Sequence, residues 1–395
     1  MSRALHVIGM AFVFVTVLNQ NLLGAQAEKS AGAMVEKEFL PQNARTFAAL
    51  LLRAQHGDRR AQTRVGLAFS NGEGVELNPR EAVQWFLKAA VAGDAHAQHN
   101  LGVMLYRGTG VKRNLADAVT WFEKAAARGL PEAQFNAGCL YERGLGVPQN
   151  LGRALVLFRK AADQGFAPAE NNLAEMYEHG EGIAQDSIAA LRWFEKSAEQ
   201  GDAIGEYDLG VMYWNGAGVP RDSGKAANWF QRAAQQENAG AELILGLLYR
   251  DGVGVQQDYQ LAAVWLRKAA QQGNSDAQNK LGILYLEGQG LTTDDKQAAA
   301  LFAQAAEHGD SQAQANLATL YKVGRGVERD LVQAYKWYQL AQLGDRVDRS
   351  DQLRELANSM GIEQVADAKR AAAQWSSAHA AVPAEGVVSV VGLLE

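Results

Sequence analysis

Two histidines, one cysteine and a recurring glycine pair are the features of this 395-residue sequence that could support chemistry. His96 and His99 lie one helical turn apart and could share a metal ion. A zinc site needs further ligands, so we interpret the two as part of a solvated helix face. Cys139 is the only cysteine, and we expect it to be a small, partly buried hydrophobic residue. We predict no metal site and no cofactor.

Motifs for catalysis and nucleotide binding are missing from the sequence. No serine is followed three residues later by lysine, so the acylating Ser-x-x-Lys motif is absent. The glycine pairs do not extend into Gly-x-Gly-x-x-Gly or Gly-Lys-Ser/Thr, the patterns that cradle phosphates. Acidic residues are expected on outer helix faces, with no pair singled out. The sequence therefore predicts no catalytic residues.

The composition also limits the choice of partner. The chain is 48% hydrophobic and 21% charged, and its formal net charge is −6. An acidic chain without a basic stripe argues against nucleic acid as the main partner. A protein or peptide partner of unknown identity is the remaining expectation.

The whole sequence is organised by a repeat of 36 residues that runs from Gly57 to about Gly344. Self-similarity at such a period predicts a solenoid. One glycine column is broken only by Glu237. Eight glycine pairs follow the same period, and a tight turn requires φ > 0 at such positions. The predicted turn residues include Gly72, Gly74, Gly108, Gly110, Gly144, Gly146, Gly216 and Gly218.

Each unit predicts two helices. An asparagine or aspartate precedes the second helix in all eight units, as an N-cap would. The buried stripe of that helix contains Trp85 and Phe86 in the first unit, with alanines at helical spacing. A small residue such as Gly138 recurs in the middle of the first helix, which predicts that the second helix comes close there.

These residues resemble a known repeat. The pattern Ala-x-Ala-Gln-x-Asn-Leu-Gly, then Tyr, Gly-x-Gly-Val, Asp/Asn and Ala-x-x-Trp-Phe-x-Lys-Ala-Ala resembles the Sel-one-like repeat family, which is related to tetratricopeptide repeats. The resemblance implies an all-α fold, a right-handed α/α superhelical solenoid, used mainly as an adaptor surface for other proteins. Cysteine-rich relatives are associated with β-lactam hydrolysis. This chain lacks their disulfides, so a β-lactamase-like hydrolase is kept only as an alternative.

The ends of the chain differ from the repeats. Arg3, the apolar run Val7–Leu18 and Ala25-Gln26-Ala27 fit a secretory signal, and the run is too short to span a bilayer. An uncleaved anchor is the alternative. We expect export to a bacterial periplasm or beyond, with no membrane span after cleavage. The predicted segments are a signal peptide (1–27), a linker (28–43), an N-terminal capping helix (44–56), eight repeats (57–344), C-terminal capping helices (345–375) and a flexible tail (376–395).

The first helices are expected to line a concave groove that binds a partner segment. A column of asparagines could bond a peptide backbone, and exposed aromatic side chains are typical binding anchors. Alternatively, the asparagines bond the neighbouring helix. The predicted groove residues are Asn100, Tyr106, Phe135, Asn136, Asn172, Tyr207, Trp214, Leu243 and Ile244.

The function that follows is a non-catalytic interaction scaffold of the bacterial cell envelope. A scaffold for cell-wall or exported polysaccharide is the second hypothesis, with Tyr106, Tyr207 and Trp214 as the sugar-binding side chains.

Overall fold

The computed structural model describes residues 44–379, which form nineteen α-helices and no strand. The fold is an all-α solenoid of helix pairs, as predicted. Residues 1–43 and 380–395, which include the predicted signal peptide, linker and most of the tail, lie outside the described residues. The described chain divides into two compact units, residues 44–220 and 221–379.

The first unit begins with a single helix, which occupies the place of the predicted N-terminal cap and packs on the next helix. Helix pairs then follow, the first helix of each repeat leading into the second. The helices are α1 (Ala44–Gln55), α2 (Arg59–Asn71), α3 (Pro79–Val91), α4 (Ala95–Arg107), α5 (Leu115–Ala127), α6 (Pro131–Arg143), α7 (Leu151–Ala162), α8 (Ala167–His179), α9 (Ser187–Glu199) and α10 (Ala203–Asn215).

The second unit continues the pattern and ends in two helices outside the repeat. They begin and end close to the predicted positions, although the last one continues three residues beyond Trp375. The helices are α11 (Ser223–Gln235), α12 (Ala239–Asp251), α13 (Tyr259–Gln271), α14 (Ser275–Glu287), α15 (Asp295–Glu307), α16 (Ser311–Val323), α17 (Leu331–Asp345), α18 (Ser350–Asn358) and α19 (Ile362–Ala378).

Capping side chains explain why the second helices begin where they do. Asn78 accepts a hydrogen bond from the backbone N–H of Glu81, and Asp222 does the same for Lys225. The same column caps all eight second helices in this way. Such a bond satisfies one of the N–H groups that a helix start leaves unpaired.

A row of fully buried phenylalanines forms the centre of each unit, one per repeat where the column is kept. Phe158 shows why the facing residue is small. A Cβ added to Gly138 would lie 2.6 Å from the Phe158 ring, far closer than carbon atoms pack. The predicted close approach of the two helices is therefore confirmed at this position.

The turn glycines have the backbone conformation that the sequence predicts. All eight positions named above have φ between 68° and 75°. Glu237, which breaks the other glycine column, still takes φ 63°. The chain path is therefore kept even where a side chain makes that conformation unfavourable.

Candidate functional site

The first helices are buried on more sides than a single stripe predicts. In α4 every residue from Ala97 to Tyr106 is buried. This helix packs against both α3 and α5. The first helices of neighbouring repeats also touch, as α8 and α10 do. Only a narrow strip of each first helix is therefore left for solvent.

The predicted groove residues are consequently not an exposed patch. The expectation of exposed aromatic anchors is wrong, because the first helices are packed between the second helices before and after them and in places also touch each other. Phe135, for example, packs against Phe158 and Phe166 at centroid distances of 5.8 and 5.6 Å. Of the nine residues only Asn172 is partly exposed. Buried are Asn100, Tyr106, Phe135, Asn136, Tyr207, Trp214, Leu243 and Ile244, and their contribution to partner binding stays a prediction.

Asparagines of the column bond neighbouring first helices, which was the alternative interpretation. Asn136 Nδ2 lies 3.0 Å from His99 Nε2, and Asn316 Nδ2 donates to Asn279 Oδ1 at 2.9 Å. These bonds cross from one repeat to the next. The asparagine column therefore serves the stacking of repeats at these positions.

His99 belongs to this buried network, so its placement on a solvated face is wrong. Its side chain is fully buried, and burial lowers its pKa to about 4. Asn136 donates to Nε2, which leaves the ring proton on Nδ1, 3.3 Å from Asn100 Oδ1. A neutral imidazole with both nitrogens engaged is a structural residue rather than a ligand.

Polar side chains remain accessible on the first helices of repeats 3 to 5. We call this set the polar strip: Glu142, Asn172, Glu175, Glu178 and Asp208, all partly exposed. Asn172 and Glu175 lie one turn apart on α8. Glu142, Glu175 and Asp208 lie on three successive first helices, 33 residues apart. A diagonal of this spacing brings carboxylates together, so the expectation that acidic residues are scattered on outer faces is wrong.

Burial and neighbouring carboxylates together raise the pKa of two members of the polar strip, Glu175 and Asp208. Burial and the charge of Glu142 raise the pKa of Glu175 to about 8, with Glu178 and Glu181 adding to the effect and Arg143 opposing it. Burial and Glu175 raise the pKa of Asp208 well above its ordinary range. No hydrogen bond or ion pair holds the Glu175 or Asp208 side chain within residues 44–379. A strip of this kind favours an incoming cation.

Sequence reasoning missed this diagonal because it compared equivalent positions, 36 residues apart. Residues that touch across two first helices are instead 33 or 37 apart: Asn172 Nδ2 and Cys139 Sγ, at 4.0 Å, show the first spacing, and His99 and Asn136 the second. A search for charges at 33-residue spacing would have found Glu142, Glu175 and Asp208.

Cys139 is buried, more completely than the predicted partial burial. Burial raises the pKa of its thiol well above the usual range. Because the thiolate is the reactive form, this cysteine is a packing residue and no nucleophile.

Two features are absent from residues 44–379. No three histidine, cysteine, aspartate or glutamate side chains of this range are placed to hold a metal ion. None of its helices combines the length and apolar character needed to cross a bilayer.

Comparisons with known proteins agree with the repeat architecture. The family model of the Sel1 repeat matches eight consecutive segments: 59–94, 95–130, 131–166, 167–202, 203–238, 239–274, 275–310 and 311–341. Among curated proteins none matches.

Two solved structures are similar over most of the chain. One is a Sel1 repeat protein from Oxalobacter formigenes, with 30% identity and a TM-score of 0.62, covering 78% of this chain and 90% of that one. The other is a protective antigen of uropathogenic Escherichia coli strains with an SLR fold. It shows 29% identity and a TM-score of 0.57, covering 85% of this chain and 87% of that one.

Proposed function

This chain belongs to the Sel1 repeat family, and we propose that it is a non-catalytic scaffold of a bacterial cell envelope that binds a segment of another protein. Proteins of this family generally mediate protein–protein interaction. Stacked repeats offer an extended surface for such a role, because each repeat adds area without a new core.

The observation that carries the proposal is the polar strip. Most of the surface of the first helices is buried against other helices. Asn172 and Glu175 on α8 and Asp208 on α10 nevertheless stay accessible. Glu175 and Asp208 lack partners within the described chain. Uncompensated carboxylates in a partly buried place are unfavourable, and lysine or arginine side chains of a partner would relieve that cost.

Binding of a basic segment would also release protons. Glu175 is largely protonated at neutral pH, because its pKa is raised to about 8. A cation placed beside it favours the ionised form and lowers that pKa. The partner therefore binds more tightly as pH rises from 6 to 8, by linkage.

Export is part of the proposal and is supported by the sequence alone. Arg3, the apolar run Val7–Leu18 and the small residues around Ala27 are those of a signal peptide. One structural relative is a protective antigen, which fits a protein presented outside the cytoplasm. The polysaccharide alternative is less well supported, because Tyr106, Tyr207 and Trp214 are buried.

Co-purification from the envelope fraction tests the proposal. The variant Glu175→Gln/Asp208→Asn removes both ionisable carboxyl groups with little change in shape, so neither side chain can ionise beside a partner's cation, and Glu195→Gln/Glu199→Gln is the matched control on α9. We expect the native chain and the control to retain the same protein, and the strip variant to retain about tenfold less, since tenfold corresponds to a loss of about 1.4 kcal/mol. Equal recovery by all three proteins would remove the polar strip as the binding face.

A further inference from the structure

A side-chain slot recurs between consecutive second helices, and in repeat 4 an arginine fills it. Arg159 of α7 donates a hydrogen bond to the Tyr177 hydroxyl of α8. The guanidinium carbon lies 5.6 Å from the centroid of the Tyr177 ring and 5.9 Å from that of Trp193 on α9. Tyrosine and tryptophan thus form two walls around one guanidinium.

The slot is filled by the residue that lies 18 positions before the tyrosine. Arg267 of α13 donates to the Tyr285 hydroxyl at 3.1 Å, and Tyr141 donates to the Glu123 carboxylate at 2.9 Å. A long polar side chain therefore satisfies the tyrosine hydroxyl in three repeats.

The same slot is empty in the last repeat. The residue 18 positions before Tyr321 is Ala303, which is too short to fill it. A cavity of about 740 Å³ opens there, lined by Ala303, Tyr321 and Trp337 among others. The Tyr321 hydroxyl has no hydrogen-bond partner within residues 44–379. Both aromatic walls of the arginine slot are thus present without their arginine.

The charges around the cavity favour a cation. Three carboxylates line it: Glu307, Glu328 and Asp330. Glu307 is held in place by the indole N–H of Trp375, which donates to it at 2.7 Å. Of the two cations of the lining, one is engaged outside the cavity and the other already lies over the aromatic wall formed by Trp337, as Lys196 lies over Trp193 in the slot that Arg159 fills. Arg329 Nε donates to the Lys322 carbonyl, and Lys336 Nζ lies 4.0 Å from the centroid of the Trp337 ring.

We propose that the cavity between α15, α16 and α17 binds an arginine side chain presented by a partner protein. The guanidinium takes the place that Arg159 and Arg267 fill within the chain. It donates to the Tyr321 hydroxyl and to the carboxylates, and its plane packs on the aromatic walls. The remaining volume accepts the residues next to that arginine. Arginine is preferred over lysine, because only the planar guanidinium bonds and stacks at once.

A small probe tests the slot directly. N-acetyl-arginine amide is titrated into the full chain while the indole N–H signal of Trp337 is followed by NMR. We expect saturable shifts with a Kd on the order of 1 mM, since so few atoms make contact. N-acetyl-lysine amide should bind about tenfold more weakly.

A variant whose own side chain fills the slot provides the decisive control. Ala303→Arg should abolish the response and raise the melting temperature, because the new arginine reproduces the Arg267 contact. Ala300→Arg adds the same charge on an exposed position of the same helix and should bind the probe as the native chain does. Tyr321→Phe should weaken binding about fivefold through the lost hydrogen bond.

Three results would overturn the proposal: no saturable response of the native chain, equal binding of the lysine probe, or an unchanged response in Ala303→Arg. The inference rests on the proposal that the chain binds other proteins. Its test needs no partner, however, so a failure here leaves the co-purification result untouched.

Discussion

Replacing Gly146 by alanine is expected to destabilise the first unit by about 3 kcal/mol, through backbone strain and overlap acting together. Gly146 has φ 74°, which costs a residue with a Cβ about 1–2 kcal/mol. The added Cβ would also lie 2.5 Å from the carbonyl carbon of Leu115, in the first turn of α5. Backbone atoms cannot rotate away, so the contact between two repeats has to open.

Gly165→Ala is the matched control for this change. Gly165 has nearly the same φ, 78°, but its Cβ would meet no atom within 4 Å. Its cost should be the strain alone, about 1 kcal/mol. Urea unfolding followed by circular dichroism measures both variants. Equal losses would show that the second glycine of each pair serves only the turn and not the contact between repeats.

The second large effect is the pH dependence of folding stability that Glu175 gives to the first unit. Its pKa is raised to about 8 in the folded chain, whereas the model-peptide value is near 4.5. The folded state therefore holds its proton where the unfolded state has lost it. The contribution of Glu175 to stability therefore falls as pH rises from about 4.5 to about 8 and does not change further above that pH.

Glu175→Gln should remove that slope. At pH 5 the variant and the native chain should have similar stability, and at pH 8.5 the variant should be more stable by about 1–2 kcal/mol, a value reduced because the side chain is partly exposed. Glu199→Gln, an exposed position on α9, is the control. His99 has the opposite effect, since its lowered pKa removes stability as pH falls from 6.5 to about 4. The difference between variant and native chain cancels the contribution of His99. A gain that is independent of pH would contradict this account.

The sequence predicted the helices well because their signals are local. The glycine pairs, the Asn/Asp caps and the Trp-Phe stripe each act within a few residues, and a period of 36 makes them visible eight times. The boundaries of α18 and α19 were also close, since an apolar stripe marks both helices.

The site was predicted poorly because burial depends on neighbours that periodicity does not show. A helix stripe tells which face is apolar, but it does not show that Phe135 packs between Phe158 and Phe166 or that Ile244 is buried. Polar residues were misplaced for the same reason. Asn136 was predicted to line the groove, but its side chain bonds His99. Glu175 was expected on an outer helix face, but it lies in the polar strip. Contacts across repeats, at 37 residues for Asn136 and at 33 residues for Glu175, decide the two outcomes.

Photo-crosslinking in the cell tests the central claim most directly, namely that the first-helix face of repeats 3 to 5 binds another protein. A photoreactive phenylalanine analogue is placed at Asn172 in the polar strip or at Arg192 on the outer side of α9, both accessible positions. We expect a covalent adduct with one protein from Asn172 and none from Arg192. An adduct from Arg192 alone, or from neither position while the protein is folded and exported, would contradict the account.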